Sequence, residues 1–141
     1  MMIIKEANSA KRLLDQFCVG YKNRDLKYLL NLFTQNATVL GSGIDEYRVG
    51  ISEIKEQLER DWSQSEKGEI LVNSYMPGNN DNLWTTAVCT AKVTIEGNEH
   101  TFEHLRGTII LGEEDGSWKI AHMHASFPDF RNPENNSFPV S

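Results

Sequence analysis

Ala10, Leu13, Leu14, Phe17 and Tyr21 recur at helical spacing over residues 6–23, while Lys11, Arg12, Asp15 and Lys22 fall elsewhere around the wheel. That spacing predicts an amphipathic helix. Asn23, Arg24 and Asp25 interrupt it, and Asp25 can cap a second, shorter helix whose apolar side is Leu26, Leu29, Leu30 and Phe33. Residues 37–41 read as a brief strand ended by glycine, and residues 43–50 as a loop or short hairpin arm. Helical spacing returns over residues 51–62, with Ile51, Ile54, Leu58 and Trp62 along one face and Ser52 as a candidate cap.

Beyond Gly68 the period changes to two. Residues 69–76, 83–95, 100–111 and 117–127 alternate like strands, and the stretches between them are rich in Gly, Asn, Asp and Glu. Four successive strands joined by short turns predict an antiparallel meander. Helices gathered in the first half and strands in the second define an α+β architecture, a curved antiparallel sheet with three N-terminal helices packed in its concave side. A sheet bent in this way encloses a cone, packed at the bottom and open at the mouth. Residues 1–128 are read as one domain, and residues 129–141, with two further prolines and no period, as an irregular tail.

Composition narrows the function. A chain of 141 residues is long enough for one core and too short for two. The net charge of −6, without a basic cluster, argues against nucleic-acid binding. The apolar run at residues 1–4 is too short to span a bilayer or form a signal core, so a cytoplasmic, membrane-free protein is expected. Cys18 and Cys89 have neither CxxC spacing nor a secreted context, and read as small buried hydrophobes.

Candidate chemistry sits on the last two strands. Under strict alternation Trp118, Ile120, His122, His124 and Ser126 share one side, and so do His104, Arg106 and Thr108 on the strand before. If both rows face the cone, Arg106 supplies a fixed cation, His124 or His122 an acid/base near neutral pH, and Thr108 and Ser126 hydroxyls, with His104 nearby. Phe17, Tyr21, Trp62, Tyr75 and Trp84 would supply aromatic walls. Such a pocket suits a small, largely apolar molecule bearing a carboxylate or carbonyl. Ordinary packing is the competing reading, since Trp118 and Ile120 occupy the same row, and Arg106 could instead pair with Asp45, Glu46 or Asp61. His122 and His124 with His104 place imidazoles on one face, but no carboxylate shares their row, so neither a metal nor another cofactor is expected.

Three stretches carry a family resemblance: YKNRDLKYLLNLFTQNATVLG at residues 21–41, the Gly50 that opens ISEIKEQL, and DGSWKIAHMHASFP at residues 115–128. They resemble the NTF2-like superfamily, a cystatin-like fold, and within it the SnoaL-like branch. The resemblance implies the cone, implies that Arg106, Thr108, His124 and Ser126 line its pocket, and implies a homodimer formed through the sheet face. It also speaks against ketosteroid-isomerase chemistry, because Gly41 stands where that branch keeps its base, and Phe17 and Thr108 where it keeps its oxyanion donors. Three readings remain: a small-molecule binder of unassigned activity, an isomerase, cyclase or dehydratase using His124 or His122, and an oligomerisation or interaction module with a vestigial pocket.

Overall fold

The computed structural model describes residues 9–76 and 83–140. The first turn of the expected helix, residues 6–8, and the expected turn at residues 77–82 lie outside them. Helix α1 (Ser9–Asn23) buries Ala10, Leu13, Leu14 and Phe17, the stripe that its spacing predicts. Asp25 caps α2 (Leu26–Asn31), its carboxylate accepting from the Tyr28 amide at 3.1 Å. Gly20 lets the two helices meet, because a Cβ there would stand 2.7 Å from Cδ2 of the fully buried Leu29. Phe33, expected on the apolar side of the second helix, instead opens strand β1 (Phe33–Leu40), where it is buried.

Strand β2 (Tyr47–Val49) leads into helix α3 (Ile51–Ser63). Ser52 does not cap it. The cap position belongs to Gly50 at φ 87°, a conformation that favours glycine, and the Gly50 amide donates to the Ala37 carbonyl at 2.8 Å. Glu53 accepts from the Val49 amide at 2.9 Å and adds negative charge to the first turn.

The period-two region forms β3 (Lys67–Met76), β4 (Trp84–Ile95), β5 (Asn98–Glu114) and β6 (Ser117–Ser126), an antiparallel meander as expected. The whole sheet has six strands in the order β2-β1-β6-β5-β4-β3. It is not wholly antiparallel, for β1 lies parallel to β6. The sheet's inner side gives the core Ala37, Ala87, Cys89, Ile109, Leu111, Ile120 and Met123, which meet the apolar stripe of α1 and Ile54 and Leu58 of α3. Among the described residues no helix is long and apolar enough to cross a membrane.

Two irregularities set which side chains face the core. Ile110 pairs with His122 but Leu111 pairs with Ile120, so β6 carries one extra residue, Ala121. Ile120 points inward before this bulge and Met123 inward after it, which turns His122, His124 and Ser126 outward. On β5, Leu105 opposes Cys89 while Phe102 opposes Ala91, again one extra residue, with His104 at φ 63°. There the parity change carries Phe102 to the inner side, on the cavity wall described next.

Candidate ligand-binding cavity

A cavity of about 340 Å³ lies between α1, α3 and the inner side of the sheet. Its wall is mostly apolar, with Phe17 on α1, Ile54 and Leu58 on α3, Phe102 and Leu105 on β5, Met123 on β6 and Phe127 just beyond it. Ile54, Gln57, Leu58 and Asp61 follow one another at helical spacing on α3, so two polar groups share the face that packs into the cone. Glu46 and Ser42, from the connection between β1 and β2, and Glu69 of β3 add further polar groups.

Gln57, Asp61 and Tyr21 form a connected cluster. Gln57 Nε2 donates to Asp61 Oδ1 at 2.7 Å, and the Tyr21 hydroxyl donates to Asp61 Oδ2 at 3.3 Å. Burial raises the Asp61 carboxyl above its ordinary 3.8, against the opposing hydrogen bond from Gln57 and with the repulsion of Glu46. Burial, then the charge of Asp61, pushes the Tyr21 phenol well above its ordinary 10.0, so it stays protonated and able to donate. No Lys, Arg or His lines the cavity among the described residues. Arg24 is bound to the carbonyls of Trp62 and Ser65, and Arg60 to Asp45 at 2.9 Å.

Of the residues singled out in the sequence, Phe17 and Tyr21 are on this wall, their rings 5.9 Å apart. Trp62 packs 6.0 Å from the Tyr21 ring without lining the cavity. Tyr75 is also off the wall: its hydroxyl donates to Asp15, and the Lys11 ammonium stands 4.9 Å over its ring. Gly41 lines the cavity without a side chain that could take a proton.

The expectation that the two polar rows look into the cone is overturned: the Ala121 bulge turns His122, His124 and Ser126 outward, and on β5 Arg106 and Thr108 alternate with Leu105, Ile109 and Leu111, which take the inner side. Cross-strand register places Trp84, Ile110, His122, Thr38 and Val49 in one row on the outer side of the sheet. Thr86, Thr108, His124, Leu40 and Tyr47 form the next row, and Val88, Arg106 and Ser126 the third. Arg106 and His124 are exposed, and Arg106 forms no ion pair among the described residues, neither with Asp45 nor with Glu46 or Asp61. Thr38 Oγ1 and His122 Nδ1 share a hydrogen bond of 2.7 Å, and the Thr86 and Thr108 hydroxyls one of 2.8 Å. His104, in the β5 bulge, is exposed with its ring 6.4 Å from that of Phe130.

Sequence reasoning missed Gln57, Asp61, Glu46, Glu69, Phe102 and Phe127. A signal for two of them was present: Gln57 and Asp61 interrupt the Ile54 and Leu58 stripe, where a polar residue needs a reason to be. Cys18 and Cys89 are both free, and burial pushes the Cys18 thiol up to about 12, in keeping with small hydrophobes.

Solved structures share the fold. A protein from Catenulispora acidiphila described as having a ketosteroid isomerase-like fold, in complex with trimethylamine, is 12% identical at a TM-score of 0.65, with 84% of this chain and 87% of that one covered. One from Xanthomonas campestris, named for a calcium/calmodulin-dependent protein kinase II association domain, is 19% identical at 0.71, covering 85% and 86%. An LEH-like epoxide hydrolase of M. tuberculosis is 14% identical at 0.65, covering 83% and 80%. At these identities the likeness is one of fold. No curated protein matches in sequence. Residues 10–129, from the start of α1 to just past the Phe127 wall, match the family model described as the SnoaL-like domain, and the chain belongs to that family.

Proposed function

We propose that this protein binds a small, largely apolar molecule inside the cone, with Phe17, Tyr21 and Asp61 among the residues that touch it. The observation that carries the reading is an apolar cavity of about 340 Å³ with one connected polar cluster, Gln57, Asp61 and Tyr21, on its wall. Among the described residues three carboxylates and no basic side chain line it, which removes the support for a ligand carboxylate and leaves a neutral or donor-bearing polar end. Arg106, Thr108, His122, His124 and Ser126, on the far side of the sheet, have no part in this binding.

The test is fluorescence of the neutral dye N-phenyl-1-naphthylamine. Wild-type protein should enhance it, and Ala91→Phe, which fills the wall from β4, should abolish the enhancement. Arg106→Met and His124→Ala should leave it within twofold of wild type. Loss of binding in Arg106→Met with retention in Ala91→Phe would move the site to the outer side of the sheet.

A second reading is favoured by one observation, the raised pKa of Asp61 beside a protonated Tyr21. A partly buried carboxyl tuned upward on a cavity wall is suited to proton transfer, so an isomerase, cyclase or dehydratase would use Asp61 as acid/base in place of His124 or His122. The outer side of the sheet is assigned to a second copy of the chain. Trp84 and Ile110, each 47% exposed, stand side by side there, and Leu40, Tyr47 and Val49 form a second exposed apolar group on β1 and β2, with His122 and His124 of β6 between the two.

A further inference from the structure

The cavity has one sign of charge. Glu46, Asp61 and Glu69 are on its wall, and among the described residues only Glu69 of the three forms an ion pair, with the mostly exposed Lys22 at 3.2 Å. Asp61 is held by two neutral donors, Gln57 and Tyr21, while Arg60, the adjacent cation, is committed to Asp45 at the surface. Gln57 is 8% exposed and lies on the wall, and its Oε1 has no hydrogen-bond partner among the described residues. A buried acceptor without a donor is unfavourable, and so is a buried carboxylate without a counter-charge. A cationic group answers either need: any ammonium, quaternary included, offsets the carboxylates, and a protonated amine can also donate to the free acceptor.

The remaining wall is apolar and in part aromatic. Phe17, Tyr21, Phe33, Phe102 and Phe127 face the cavity, and Phe102 and Phe127 pack against each other at 6.2 Å. The faces of such rings carry partial negative charge and attract alkylammonium groups, whose methyls or methylenes also satisfy an apolar wall. An aliphatic cavity would serve a neutral ligand equally well. This one combines aromatic side chains, two carboxylates, Glu46 and Asp61, without an ion pair among the described residues, and an unfilled acceptor.

Resting on the reading that the cone is a ligand site, we propose that its ligand is a small organic cation, an amine or quaternary ammonium carried on an apolar body, with the charged end beside Asp61 and Glu46 and the body among the phenylalanines.

The test compares benzyltrimethylammonium with neopentylbenzene, which has the same shape and no charge. Each is titrated into protein carrying ¹³C-methyl methionine, and the Met123 methyl on the cavity wall reports occupancy directly. In wild-type protein at mildly alkaline pH, the cation should bind at least tenfold more tightly than the hydrocarbon. Asp61→Asn should remove most of that preference, by weakening the cation far more than neopentylbenzene. Glu46→Gln, at the less buried edge, should reduce it severalfold and guards against a folding defect in the first variant. Equal affinity for the two compounds, or a preference surviving both substitutions, would overturn the cation proposal and leave the cavity as an apolar site. If neither compound moves the Met123 methyl, both the proposal and the reading beneath it fail.

Discussion

Burial raises the pKa of Asp61 above the ordinary 3.8, so the folded chain holds a proton there more tightly than the unfolded chain does. The corresponding stability is fully present below the unfolded value and is lost as pH rises through the folded one. At neutral pH Asp61 is therefore a burden on the empty fold, relieved only by protonation or by a counter-charge. Asparagine keeps the size and can still accept from Gln57 without the charge. Asp61→Asn should melt at a higher temperature than wild type at mildly alkaline pH, and the difference should shrink steadily on acidification toward the ordinary carboxylate range. Calorimetric scans across pH check this, and a gain independent of pH would mean that the charge is not its source. Tyr21 contributes no such slope in that range, because its phenol stays protonated throughout.

Single extra residues decide the sheet's two faces. The Ala121 bulge puts Ile120 and Met123 in the core and His122 and His124 outside, although a strict period would place both histidines with Ile120. Deleting Ala121 removes the bulge, and Ile120 and Met123 then stand two residues apart, so a strict period still turns both inward and both histidines outward. The deletion should keep a cooperative thermal transition, whereas inserting an alanine between His122 and Met123, which turns Met123 outward and His124 inward, should abolish it. A deletion variant without a cooperative transition would show that β6 depends on the bulge for more than the facing of its side chains. Helix α3 shows the same control by position: Ile54, Gln57, Leu58 and Asp61 reach the cavity from one helical face, and the Gly50 turn at φ 87° fixes where that helix begins.

The cone has two surfaces, an inner side that bounds the apolar cavity and an outer side that is partly apolar. Trp84, Ile110, Leu40, Tyr47 and Val49 are exposed there beside Arg106, His124 and the threonine pair. A second copy set against this side would cover the apolar rows without touching the cavity. Sedimentation should find wild-type protein as a dimer at micromolar concentration and Trp84→Glu as a monomer, with dye binding in the cone retained by both. A wild-type protein that stays monomeric at high concentration would leave the outer side without this role.

Helix positions, the four-strand meander and the α+β class were legible because each depends on local spacing: Leu13, Phe17 and Tyr21 at three and four, Ala87, Cys89 and Ala91 at two. The SnoaL-like membership was legible for the same reason, through short stretches that mark helix, break and strand. The site was legible only in part. Phe17 and Tyr21 could be read from the apolar stripe of α1, whereas His122 and His124 were placed on the wrong side by an alternation that the Ala121 bulge reverses, and Arg106 by setting its row inward when Ile109 and Leu111 of the opposite row take the core. The parallel pairing of β1 with β6, and the meeting of Tyr21 with Asp61 across forty residues of chain, are contacts distant in sequence, which no local period records. The sequence by itself determined which segments are helix and strand. Only the tertiary structure decided which faces turn inward, because burial acts on the assembled sheet, and one extra residue in a strand exchanges its two sides.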